Sequence, residues 1–132
     1  MTRIVRADAS DAERYLVYLA VAIGGLSLFG GLGLLFTAVA ISVNPLANPT
    51  GRMGAALVVV AGVYLPTVAV LARTRSAVAW SVLMIAFVIH GVAGTVLVST
   101  GSIIPAVLGL YLGYRAGRDT DYGIPYLSAA EP

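Results

Sequence analysis

Residues 77–98 read AVAWSVLMIAFVIHGVAGTVLV, a run in which His90 is the single ionisable side chain. A helical residue rises 1.5 Å, so about 20 apolar residues cross a hydrocarbon core of about 30 Å. The run is therefore predicted to be a membrane-spanning helix. Working outward from it, three further segments approach the same length and character: 15–43, 53–72 and 102–114. Between them lie 44–51 (NPLANPTG), 73–75 (RTR) and 99–101 (STG), all short and rich in turn-forming residues. Short connections imply antiparallel neighbours. The expected fold is thus an all-α integral membrane protein with four transmembrane helices in an up-down-up-down bundle, preceded by a segment over 1–14 and followed by a tail over 115–132.

Composition supports the environment more than the chemistry. Hydrophobic residues make up 59% of the chain and charged residues 11%, with a mean hydropathy of +0.93, outside the usual range for a soluble domain. All eight basic residues are arginine, which suggests a GC-rich coding genome. The absence of cysteine excludes disulfides and thiolate-held metal or iron–sulfur groups. A net charge of +2 divided between both ends gives no basic patch for nucleic acid. Asp8, Asp11, Glu13, Asp119, Asp121 and Glu131 all fall near the termini, so no buried acid pair is available for hydrolysis or ion coupling. No enzyme activity, cofactor or metal site is expected.

The first helix has a readable start, because Ser10 and Glu13 fit a capping box in which each satisfies the other's amide. Running to Val43 it would be roughly 50 Å long, so it should tilt, protrude or loosen at Gly24-Gly25 or Gly30-Gly31. Its apolar stretch exceeds that of a cleaved signal, and it is read as a retained span. The fourth segment is short for a span and should rely on Arg115 and Arg118 reaching to the headgroups.

Arginine counting sets the expected orientation. Arg3, Arg6, Arg14, Arg73, Arg75, Arg115 and Arg118 fall on one side and Arg52 on the other, which places both termini in the cytoplasm. Tyr15, Tyr18, Trp80, Tyr111 and Tyr114 fall near the arginine-rich side, where amphipathic rings favour the headgroup level. A multi-pass protein of a cell membrane, most simply a prokaryotic plasma membrane, is the resulting localisation.

Two stripes of small residues carry the strongest functional signal. Gly101, Pro105, Gly109, Gly113 and Gly117 recur every fourth residue, leaving one edge of the last helix almost bare. Ala20, Gly24, Ser27, Gly31 and Ala38 give the first helix a seam of nearly heptad spacing. These stripes serve either packing within the chain, first helix against fourth, or association between chains. Since a chain this small has few internal surfaces for two seams, a homo-oligomer or other membrane subunits are the expected partners besides the bilayer.

His90 is the one polar candidate inside a span, with Tyr64 and Pro66 on the second helix at similar depth. Pro66 lacks an amide proton, so the Gly62 carbonyl loses its helical donor. The plain reading is a neutral imidazole satisfied by Tyr64 or by that carbonyl. A proton-handling role in a small oligomeric channel or carrier is the second, and contact with haem or quinone in a redox subunit is the third. The leading functional expectation is a structural or accessory subunit of a cell-envelope or virion-envelope complex, or a homo-oligomer, acting through helix–helix association.

Overall fold

The computed structural model describes residues 9–97, 99–119 and Tyr122. Arg3, Arg6, Asp8, Asp121, Glu131 and most of the expected tail lie outside the described residues. Among those described there is no strand. The chain forms four α-helices, α1 (Asp11–Ile41), α2 (Pro49–Thr74), α3 (Ala77–Leu97) and α4 (Ile103–Asp119), with 3-10 turns at Pro45–Ala47 and Thr100–Ser102. Three of them, α1, α2 and α3, are long and apolar enough to cross a membrane. With 17 residues α4 reaches only about 25 Å, and it continues past Tyr114 so that Arg115 and Arg118 are helical.

Each helix end has a local cause. Ser10 Oγ accepts the Glu13 amide at 3.2 Å and starts α1, with Asp11 and Glu13 in the first turn, where the helix dipole favours negative charge. The helix then runs without a break through both glycine pairs, so of the expected tilt, protrusion or loosening it does not loosen there. The second helix starts four residues before the expected Met53. Asn48 Oδ1 accepts the Gly51 amide at 2.9 Å and Pro49 occupies the first helical position, where its missing N–H is harmless. Asn44 does the same for the preceding 3-10 turn, accepting the Leu46 amide at 3.1 Å. Both Asn-Pro pairs are thus helix starts, which a reading of 44–51 as loop overlooks. Pro66 lies inside α2 without ending it.

The turn between α2 and α3 rests on Arg75. Its φ of 51° is left-handed, a conformation that usually takes glycine after a helix, and its amide closes the helix on the Leu71 carbonyl at 2.9 Å. Ser76 Oγ then accepts the Val78 and Ala79 amides and opens α3. An arginine stands in this strained position because its Nε donates to both carboxylate oxygens of Glu13, at 3.0 and 3.3 Å. Only 2% of the Glu13 side chain is exposed.

By contacts the chain divides into two compact units, one of Met1–Ala20 with Pro66–Pro132 and one of Val21–Leu65. The first has Leu16, Val17, Leu71, Leu83 and Phe87 at its core, all fully buried. In the second, α1 and α2 touch backbone to backbone. A Cβ added to Gly31 would stand 2.7 Å from the Gly54 carbonyl oxygen, and one added to Gly54 would stand 2.7 Å from that of Gly31. Gly51 packs so closely on the Pro45 carbonyl that no side chain fits there.

The buried pair generates an asymmetric expectation. Arg75→Ala strands a buried carboxylate and should destabilise by about 3 kcal/mol, whereas Glu13→Gln keeps an acceptor and should cost about 1 kcal/mol. Thermal unfolding of the two variants in lipid nanodiscs reads the difference, and equal, small losses would show the pair to be dispensable.

Candidate functional site

The predicted packing residues divide between the two units. In the first unit, Gly109, Gly113 and Gly117 are buried on one edge of α4 together with Ala106 and Ala116. Facing that edge are successive turns of α3. The ring of Phe87 occupies the space that a Cβ on Gly109 would need, and the thioether end of Met84 does the same at Gly113. One turn earlier, Trp80 Nε1 donates to the Gly113 carbonyl at 2.9 Å. Toward the other end of the pair the bare positions pass to α3, where a Cβ on Gly91 would stand 2.9 Å from Ala106 Cβ and one on Gly94 would stand 2.6 Å from Ser102 Cβ. Gly101 is exposed in the 3-10 turn and Pro105 is half-buried, so the tight edge starts at Gly109.

In the second unit the α1 seam is buried at Gly24, Gly31 and Ala38 and half-buried at Ser27, while Ala20, also buried, lies in the first unit. Leu65 of α2 packs on Gly24, with a Cβ there standing 2.7 Å from its side chain, and Gly54 and Val58 pack on Gly31. The neighbour of the α1 glycines is therefore α2, and that of the α4 glycines is α3. The physical reason is chain connectivity, since loops of a few residues bring consecutive helices side by side.

His90 is half-buried on α3. It belongs to the first unit, as does the exposed Pro66, and the buried Tyr64 belongs to the second. Among the described residues no three acidic or imidazole groups converge as a metal would require. An open groove of about 410 Å³ runs between α3 and α4, lined by Phe87, Gly91, Thr95, Ile103, Ala106 and Leu110. Its walls are apolar, and His90 is not among them. The buried Thr95 hydroxyl has no hydrogen-bond partner among the described residues. Thr95 is the one polar side chain in the lining of the groove.

A second glycine face escapes the sequence reading. Gly25 and Gly33 have nothing within 4 Å of an added Cβ, and Phe29 and Phe36 beside them are 76% and 77% exposed. At 100° per residue these four positions share one side of α1, roughly opposite the Gly24 and Gly31 seam. The doublet Gly24-Gly25 carried part of the signal, because residues 100° apart on a helix do not point the same way.

Comparison with known families, curated proteins and solved structures finds no match to this chain.

The α3–α4 contact predicts a graded response to bulk. Gly109→Ala drives a methyl into the fully buried Phe87 ring and should cost about 1–3 kcal/mol, the usual range for overpacking. Gly113→Ala should cost less, because a thioether end swings aside more easily than a buried ring. Gly113→Leu should prevent assembly of the pair and lower expression. Thermal unfolding and yield in nanodiscs give the ranking, and a tolerated leucine at 113 would mean that α4 does not need its bare edge.

Proposed function

We propose that this chain is a multi-pass protein of a prokaryotic plasma membrane that acts by helix–helix association. It serves as a structural or accessory subunit of an envelope complex or as a homo-oligomer, without catalysis. The observation that carries this reading is the exposed face of α1, where Gly25 and Gly33 flank Phe29 with no neighbour of their own. Glycine inside a helix costs about 1 kcal/mol relative to alanine. Within α1 and α2 that cost is offset where backbones meet at Gly31 and Gly54. On a face turned only to acyl chains there is no such return, whereas a second helix gains close contact along the hollows and around the phenylalanine knobs. The glycines of α1 thus do two jobs, Gly24 and Gly31 inside the chain and Gly25 and Gly33 on its surface.

In the same reading α4 is a fourth, shallow span, ended at the headgroups by Arg115 and Arg118, and both termini are cytoplasmic by the arginine asymmetry.

The natural lack of cysteine makes the association directly testable. Single cysteines at Phe29 or Gly33 should form a covalent dimer on mild oxidation in native membranes if the chain self-associates. A cysteine at the buried Ala38 should not. In nanodiscs the native particle should exceed one chain in mass, through a second copy or another subunit. A strict monomer without cross-links would refute association through α1. For orientation, reporters at either terminus should read cytoplasmic and one inserted at Ala47 external; an external C-terminus would reverse the assignment.

A further inference from the structure

Within the first unit, two contacts gather the helix ends that carry arginine. Glu13 at the start of α1 holds Arg75 in the α2–α3 turn, and Trp80 at the start of α3 holds the Gly113 carbonyl near the end of α4. Arg14, Arg73, Arg75, Arg115 and Arg118 therefore collect at one end of this unit. Most of the charge there that the structure accounts for is answered locally: Arg75 by Glu13, Arg14 by Asp11 at 3.4 Å, and Arg115 loosely by Asp119 at 3.8 Å. Arg118 has no carboxylate within 4 Å among the described residues.

The outer face of α4 orders its residues in the sequence of a lipid. Ile104 and Val107, 69% and 56% exposed, are followed by the exposed Tyr111 and Tyr114 and then by Arg115 and Arg118. Spacings of three and four keep these residues on one side of the helix, away from buried Gly109 and Gly113. The tyrosines position the cations. Arg115 Nη1 donates to Tyr111 Oη at 3.3 Å and Arg118 Nη1 donates to Tyr114 Oη at 3.2 Å, and the Arg118 guanidinium lies 5.9 Å from the centre of the Tyr114 ring. Each guanidinium keeps further N–H donors for a planar fork that suits phosphate oxygens.

We propose that this face binds an anionic phospholipid, with its phosphate held by Arg115 and Arg118 and its acyl chain lying along Val107 and Ile104. An acyl-bearing ligand is indicated because the apolar stretch and the cationic end are continuous on one exposed face, and an anionic headgroup because Arg118 has no carboxylate to answer its charge among the described residues. The inference does not depend on association through α1.

The protein has a single tryptophan, and its indole sits against Gly113, a little over one turn from Arg118. Trp80 fluorescence therefore reports which lipids adjoin this end. The full chain is reconstituted into phosphatidylcholine vesicles, and quenching by brominated phosphatidylglycerol is compared with quenching by brominated phosphatidylcholine. One basic group near an anionic surface corresponds to about a fivefold preference. The wild type should favour phosphatidylglycerol by at least that factor, and Arg115→Gln with Arg118→Gln should bring the ratio close to unity. Tyr114→Phe, which removes only the positioning hydroxyl, should lower it partway and serves should the double variant insert poorly. Arg52→Gln removes one positive charge from the second unit and should leave the ratio unchanged. Equal quenching by the two lipids in the wild type, or a fall in Arg52→Gln as large as that in the arginine pair, would overturn the proposal.

Discussion

Lipid tails are as apolar as leucine, so two helices gain little from merely hiding apolar surface against each other, and what holds them is atoms in contact. That constraint explains where this chain spends its glycines. Gly31 and Gly54 bring two backbones together, and Gly109 and Gly113 let Phe87 and Met84 seat in the edge of α4. The same constraint explains why bulk alternates across the α3–α4 contact, with rings and thioether from α3 at one end and, at the other, Ala106 of α4 over Gly91 and Ser102 of the preceding turn over Gly94. Interlocking of this kind fixes one register, because sliding by a residue would place Phe87 against a side chain.

Polar groups reinforce the contacts at the helix ends, where water is near enough to make their desolvation affordable. The Trp80 indole donates to the Gly113 carbonyl near the end of α4. Arg75 takes a left-handed backbone conformation normally left to glycine, and it does so while its side chain satisfies a nearly buried carboxylate. Local strain and a long-range ion pair thus meet in one residue, a combination that ties the α2–α3 turn to the start of α1.

Using different faces of one helix for different neighbours is what gives α1 its proposed role. Gly24 and Gly31 are occupied by α2, so the half-buried Gly25 and the exposed Phe29, Gly33 and Phe36 are left for a surface outside the chain. The outer face of α4 is of another kind, with tyrosines and arginines following an apolar stretch. The first suits a helix and the second a lipid, because a glycine hollow rewards a rigid partner and a guanidinium fork rewards a phosphate.

The sequence by itself determined the helical class, the three long apolar helices and the existence of small-residue stripes, because the length of an apolar run and a spacing of four are properties of the chain alone. Ser10 was legible as a cap for the same reason. Asn48-Pro49 was equally local, an N-cap with proline at the first helical position, and its meaning was hidden only by the resemblance of the segment to a loop. Tertiary structure decided which stripe meets which helix. Gly24 and Gly25 are chemically identical, and only the placement of Leu65 makes one a contact and the other an open hollow. It also decided that Glu13, a capping residue by pattern, receives Arg75 from 62 positions away. No periodicity encodes such a partner, because it depends on where the folded turn delivers a side chain and not on the spacing within any one helix.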